Sequence, residues 1–403
     1  MAGDTLPEEK DKYFRSTVEM GFLMIEEPLL FTPGPVTLPK AILREMSKPM
    51  ISHRSKDFRE LFEDTVLRLQ QVFKTKNDIA VLTASGTGGV EAALLNVLDV
   101  DEKILIPVYG VFSKRAAETA KRIGARPVVL SKSLPNKEDI FRLIEDNVDA
   151  TAILIVYNDT SPGITIRFLK DISRKAKEYG ILTIVDAVSI LGGDVLLTDE
   201  WDLDVVITGS QKCLMSPPGL AAVSLSERAW EKVLKTPRRT FYFDFIRYKE
   251  YYEKRKETPF TPAINVLHAL RKALEIILDV VGYRAWIEMH RRRASFLYSA
   301  LSALNFKPIM PPEYRSNTVI SVKPPERLSP EEILSRLKND YGIYAAGGLE
   351  EWKGKIIRFG NMGYISPRSL LSLILSIATI LMEKEIPLKL EELISVFENL
   401  LVK

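Results

Sequence analysis

The chain has 403 residues, 46% of them hydrophobic and 27% charged, which is enough for a sizeable core and more than one compact domain usually holds, so two domains are expected. With 56 Lys+Arg against 53 Asp+Glu the formal net charge is +3, which gives no electrostatic case for a nucleic-acid or membrane partner. The single cysteine excludes an intrachain disulfide and fits a reducing cytoplasm; with three histidines beside it, no metal-ligand spacing stands out.

Residues 1–25 carry charges of both signs, lack the apolar core of a signal peptide and read as an extension. From Asp78 onward, short β-rich runs alternate with helical patterns. Strands are expected over residues 78–83, 103–108, 126–130, 151–157, 181–186, 204–208 and 220–225. Between them, helices are expected over 89–98, 113–123 (ended by Gly124), 137–147 and 168–179 (stopped at Gly180). Strands joined through helices need crossover connections, so the sheet is α/β, mostly parallel and covered on both faces. Ligands of such sheets sit beyond the carboxyl ends of the strands.

After Pro262, apolar residues at 264, 267, 270, 274, 277 and 281 predict one long helix leaving the sheet. The domain boundary is placed near Gly282, giving a large domain over 26–281 and a smaller α+β domain over 282–403. In the latter, strands are expected over 318–322 and 356–359, and a helix opens at Ser329-Pro330-Glu331-Glu332, a capping box with proline in its first turn. The apolar run over 370–382 is too short to span a bilayer, which takes ~20 residues; it reads as a packed helix capped by Ser366 with Pro367 in its first turn. His290-Arg291-Arg292-Arg293 reads as the solvated face of a helix, and the basic and aromatic residues over 238–256 as a structural strand and loop. His53-Arg54-Ser55 fits either the mouth of a site or a helix cap. Abundant Lys, Glu and Ile with few Cys hint at a thermophilic source.

Three loops carry chemistry. Ser85-Gly86-Thr87-Gly88-Gly89 lies between a strand and a helix, where free N–H groups and the helix dipole favour a phosphate; it also fits an ordinary glycine-rich turn. Asp186 ends a strand and faces either a ligand or a helix cap. Lys212 follows Gly209-Ser210-Gln211, where a dry pocket would lower its pKa and make it a nucleophile; taken singly, it reads as a surface lysine. Together the three match the needs of pyridoxal phosphate: a phosphate cup, an acid for the pyridine nitrogen and a Schiff-base lysine.

With these motifs the sequence resembles the class V aminotransferases of the fold-type-I pyridoxal-phosphate enzymes, and among them the serine–pyruvate and alanine–glyoxylate aminotransferases. The likeness spans about residues 30 to 363. It runs through Thr32-Pro33-Gly34-Pro35, the Ser85–Gly89 cup, Arg122-Ile123-Gly124-Ala125 and Asp159-Thr160-Ser161-Pro162-Gly163. Beyond these it takes in Val185-Asp186-Ala187-Val188-Ser189, Gly209-Ser210-Gln211-Lys212, Gly347-Gly348-Leu349 and Ile357-Arg358-Phe359-Gly360. It implies a seven-stranded large domain with a smaller C-terminal one, and pyridoxal 5'-phosphate as cofactor. Lys212 would be the Schiff-base lysine and catalytic base. Asp186 would pair with the pyridine nitrogen and Val188 pack on the ring. Ser85, Gly86, Thr87 and Gln211 would hold the phosphate, and Thr160 would stand near the ring hydroxyl. Arg358 and Gly34 would meet the substrate.

Two positions depart from relatives. Phe112 stands where tryptophan often stacks on the ring, and Thr258 where a tyrosine can reach the phosphate. Thr261 would contact the cofactor of the partner subunit, which implies a homodimer with shared sites. The expected activity is transfer of an amino group from alanine or serine to glyoxylate or pyruvate; phosphoserine or aspartate transamination with 2-oxoglutarate is the alternative. A cysteine desulfurase needs a mobile cysteine, and Cys213 follows Lys212 directly. A non-enzymatic protein on the same fold is the remaining reading.

Overall fold

The computed structural model describes residues 27–401, so the extension expected over 1–25 lies outside the described residues. Ser55 caps a first long helix, α1 (Lys56–Phe73), its side chain accepting from the Phe58 N–H. Seven strands then build the central sheet: β1 (Asp78–Leu82), β2 (Lys103–Val108), β3 (Arg126–Ser131), β4 (Ala152–Val156), β5 (Leu182–Asp186), β6 (Val205–Gly209) and β7 (Ala221–Leu225). They lie in the order β1-β7-β6-β5-β4-β2-β3. Neighbours from β6 to β3 are parallel, and β7 runs antiparallel to both β6 and β1. Because β7 opposes both flanking strands, β1 runs the same way as β6. The carboxyl ends of β1, β2, β4, β5 and β6 therefore share one edge, and the loops after them meet there.

Helices α2 (Gly86–Val97), α3 (Val111–Arg122), α4 (Lys137–Glu145) and α5 (Leu169–Glu178) supply the crossovers. β4, read as a continuous apolar run, is buried along its whole length, as a strand covered on both faces must be. Gly124 and Gly180 end their helices at φ +90° and +73°, conformations glycine adopts without the Cβ clash.

The long helix expected after Pro262 is interrupted. The α-helix Ile264–Glu275 passes into a π-helical turn, Ile276–Val280, and the chain turns at Gly282 (φ +86°) into a second helix, α6 (Tyr283–Ala303). The apolar spacing carries across the wider turn, which is why periodicity alone missed it. The residues over 238–256 form no strand: Asp244 caps an α-helix, Phe245–Arg255, by accepting from the Ile246 and Arg247 N–H groups. The basic cluster on α6 is also only half a solvated face. Arg291 and Arg292 pair with Glu288 at the surface, whereas His290 and Arg293 are buried.

A second core gathers Leu297, Leu301, Ile320, Phe359, Leu373 and Ile377 around a four-stranded antiparallel sheet. Its main strands are β8 (Val319–Lys323) and β9 (Ile357–Gly360). Leu29–Leu30 pairs with Ile343–Tyr344, and Phe31 joins this core from the other end of the chain. Ser329 and Ser366 cap the helices Pro330–Tyr341 and Pro367–Glu383 as their sequences predict. Among the described residues no helix is long and apolar enough to cross a membrane.

Candidate active site

The loop after β1 turns directly into α2. Ser85 is the N-cap in extended conformation, and its side chain makes no capping bond. The helix begins at Gly86, three residues before the start expected from its apolar pattern, so all the glycines of the cup lie inside its first turn. Two of them are required by packing. A Cβ on Gly86 would come within 2.6 Å of Val188 Cγ2, and one on Gly89 within 2.9 Å of Ile207 Cγ2. The first N–H groups of α2 thereby lie close over the ends of β5 and β6 and remain open to an anion.

Asp186 ends β5 and lines the same pocket, accepting from the Val188 N–H at 3.0 Å. Burial pushes its carboxyl up to about 6, against the pull of the Val188 bond and of the Lys212 and Arg115 charges. Lys212 follows β6. Its ammonium donates to the Pro33 carbonyl, and burial holds its pKa below the usual lysine range. Gly34 lies against it at φ +84°, and a Cβ there would meet Lys212 Nζ at 2.6 Å. Beside it Gln211 Oε1 is buried with no hydrogen-bond partner among the described residues. Cys213 is fully buried and its thiol is pushed up to about 12, unlike the exposed, low-pKa cysteine a persulfide-forming site needs.

Phe112 enters from α3, and the group that fixes it is Asp159, whose role the sequence left unassigned. Asp159 Oδ2 accepts from the Phe112 N–H (3.0 Å), the Ser113 N–H (2.9 Å) and Ser113 Oγ (3.1 Å). Its Oδ1 accepts from the Ser161 N–H and Oγ, and Ser161 Oγ in turn accepts from the Val111 N–H. One buried carboxylate thus caps α3 across two loops. Asp159→Ala leaves several buried donors unpaired, each costing about 1–3 kcal/mol. We expect urea unfolding of the cofactor-free variant to show a loss of about 3 kcal/mol or more; an unchanged midpoint would refute the capping role.

Arg358 rises from β9 and is buried. Its Nε donates to the Gly347 carbonyl (2.8 Å) and its Nη1 to the Thr160 carbonyl (3.1 Å). It makes no salt bridge among the described residues, and burial lowers it to about 10. A guanidinium held by two carbonyls, with no carboxylate partner, is available to an anionic ligand.

Of the residues expected at the site, Gly86, Thr87, Phe112, Thr160, Asp186, Val188, Gln211 and Lys212 line one pocket of about 710 Å³, counting its solvent-open part. Gly34 touches Lys212 and Arg358 touches Thr160 at its edge. Ser85 and Thr261 are outside the lining, and Thr261 is exposed. Asn158, Arg115 and Thr119 are polar residues of the lining that were not expected; Val90, Ala116, Val156 and Ser189 complete it. Arg115 and Thr119 recur on one face of α3 at the spacing that carries Phe112, a signal available once Phe112 was placed.

Residues 30–351 match the family model for the class-V aminotransferases. An uncharacterized aminotransferase of Methanocaldococcus jannaschii is 36% identical over 93% of this chain and 98% of its own. The serine–glyoxylate aminotransferase of Methylorubrum extorquens is 32% identical, over 86% of this chain and 89% of its own. The crystal structure of the ureidoglycine–glyoxylate aminotransferase of Bacillus subtilis superposes with a TM-score of 0.88 at 28% identity, covering 93% of this chain and 98% of that one.

Proposed function

The chain belongs to the class-V aminotransferases, and from that premise we propose that it uses pyridoxal phosphate to move an amino group from alanine or serine to glyoxylate or pyruvate. The observation that carries the reading is the meeting of the Gly86 helix start, Asp186 and Lys212 in one pocket. The residues present fit the cofactor. Gln211 lines the pocket beside the open N-terminus of α2, where the N–H2 end of its amide and the free helix N–H groups are the donors a phosphate requires. Lys212 is a half-buried amine and Asp186 a half-buried carboxylate, the two groups that an aldehyde and a pyridinium need.

When bound, the cofactor supplies the electron sink for the carbon that loses its proton. The chain's residues do the rest. Gly86, Thr87 and Gln211 would hold the phosphate, and Phe112 and Val188 would pack on the ring. Asp186 would keep a proton on the pyridine nitrogen. Lys212, its pKa lowered by burial, would hold the cofactor's aldehyde carbon and would serve as the general base and acid that takes up and returns the substrate's α-proton. Arg358 clamps the substrate carboxylate with the planar geometry that suits a guanidinium.

Arg358 provides one clamp, and a small substrate needs one. Arg54, from the stretch that fits either the mouth or a helix cap, is bound to Glu257 and to the Thr258 and Pro259 carbonyls. Arg115 lines the pocket but is exposed and lies over the Phe112 ring at 4.9 Å. An exposed ion pair contributes about 0–1 kcal/mol, too little to select a dicarboxylate. With alanine as fixed donor, specificity constants for glyoxylate or pyruvate should exceed that for 2-oxoglutarate by about tenfold or more, ~1.4 kcal/mol. A tenfold preference for 2-oxoglutarate would overturn the small-substrate reading and make Arg115 the next residue to mutate.

The reading includes a cytoplasmic homodimer in which Thr261 reaches the partner's cofactor, a domain boundary near Gly282, and a thermophilic source.

A further inference from the structure

By sequence, His53-Arg54-Ser55 fits either the mouth of the site or a helix cap; Ser55 is the cap of α1, and Arg54 is outside the pocket lining. Its Nη1 donates to Glu257 Oε2 at 2.6 Å and to the Thr258 carbonyl at 2.7 Å, and its Nη2 to the Pro259 carbonyl at 3.1 Å. Arg59, one turn into α1, takes the other oxygen of the same carboxylate, with Nε at 2.9 Å and Nη2 at 2.8 Å. Glu257 itself is 1% exposed. Two arginines around a buried carboxylate, with one of them also chelating the next two carbonyls, fix the backbone of residues 257–259.

The segment is held again further on. Thr258 Oγ1 donates to the Phe260 carbonyl, and the Phe260 ring stacks on Tyr242 at 5.2 Å and 19°. The Ala263 N–H donates to Thr83 Oγ1 at 3.1 Å, just before the Ser85 cup. Thr261 therefore projects, exposed, from a loop anchored on both sides. Around it Phe241 is 69% and Tyr242 37% exposed, an aromatic surface of the kind that a second protein surface covers.

We propose that the Arg54–Glu257–Arg59 clamp is a positioning device that presents Thr261 to the cofactor site of a second copy of the chain. The proposal rests on the reading of Thr261 given above. It makes Arg54 a positioning residue acting across the subunit boundary instead of a substrate-binding cation, so its loss should be felt at the neighbouring copy's site.

That direction can be tested in full-length protein by subunit complementation. Arg54→Gln leaves Glu257 paired with Arg59, which protects the fold. The readout is the pyridoxal phosphate concentration that half-saturates borohydride-stable labelling of Lys212. In the Arg54→Gln homodimer this concentration should rise about tenfold, and in Thr261→Ala by a similar factor. Differently tagged subunits then give a heterodimer of Arg54→Gln with Lys212→Ala. Its sole Lys212 lies in the Arg54→Gln subunit and receives its loop from a partner with an intact clamp, so half-saturation should return to the wild-type value. If the heterodimer stays as weak as the Arg54→Gln homodimer, Arg54 supports only its own subunit and the proposal fails. It also fails if Arg54→Gln binds like the wild type. If Thr261→Ala alone binds like the wild type, the reading of Thr261 falls, and with it the clamp's purpose. Arg54→Lys, able to pair with Glu257 but not to fork across three acceptors, should lie between.

Discussion

Lys212→Ala is expected to retain a native fold and lose nearly all transamination, by at least about a thousandfold in kcat, where each factor of ten is ~1.4 kcal/mol of barrier. The substitution removes the anchor of the cofactor and the proton carrier in one step, and no neighbouring group stands ready to replace it. Within the pocket lining the other titratable side chains are Asp186 and Arg115. The first is committed to the ring nitrogen in the proposed reading and the second is a poor base. The fold should survive because the substitution removes one half-buried amine whose charged form burial disfavours, and with it a single hydrogen bond to the Pro33 carbonyl. The cavity left behind adjoins Gly34 and the Pro33 carbonyl at the open edge of the pocket. The checks are circular dichroism, borohydride labelling and a coupled assay with alanine and glyoxylate. A variant that kept about a tenth of wild-type kcat would remove Lys212 from the mechanism.

How much of this was legible beforehand depended on whether a signal was local. β1 through β7 were readable because a central strand covered on both faces leaves a short apolar run between turn residues, and the boundaries differ by at most one position. The Ser329 and Ser366 caps are short local signals, and both serines accept from the third helical N–H; the return bond of a capping box is not made at Glu332, whose carboxylate pairs with Lys384 instead. The π-helical turn at Ile276–Val280 was not legible, because apolar spacing survives a one-residue widening. The split character of the α6 cluster follows from helical geometry: His290 and Arg293 are three apart on the buried face, while Arg291 and Arg292 find Glu288. The site divides in the same way. Glycines at a helix start, an acid at a strand end and a lysine after the next strand are each local. The Asp159 cap joins residues from two loops some fifty positions apart, and Arg54 meets Glu257 203 positions away. Such pairings leave no trace in spacing, and only the topology brings them together.

Asp186→Asn is expected to act with opposite signs on stability and on function. In the cofactor-free protein, burial raises the Asp186 pKa from an ordinary 3.8 to about 6. Above pH 6 the carboxylate is ionised in both the folded and the unfolded chain, and its burial cost is present in full. As the pH falls through 6, the folded protein takes up a proton that the unfolded chain does not bind until near 3.8, so the cost fades across that window and is gone below it. The interval corresponds to at most about 3 kcal/mol, reduced by the solvent that a partly exposed side chain retains. Denaturation of the apo-protein at pH 8 should therefore show the asparagine variant as more stable than the wild type by about 1–3 kcal/mol, with the difference closing toward pH 4. Saturation with pyridoxal phosphate should reverse the order, because an ionised Asp186 facing a protonated ring nitrogen gains what its burial costs. Asparagine gives up that charge, and loss of one preorganised electrostatic partner lowers kcat by about 10²–10³. An asparagine variant that is less stable than the wild type as apo-protein would contradict the burial argument. One with kcat within a few-fold of the wild type would place Asp186 outside the electron-sink arrangement, whatever its stability.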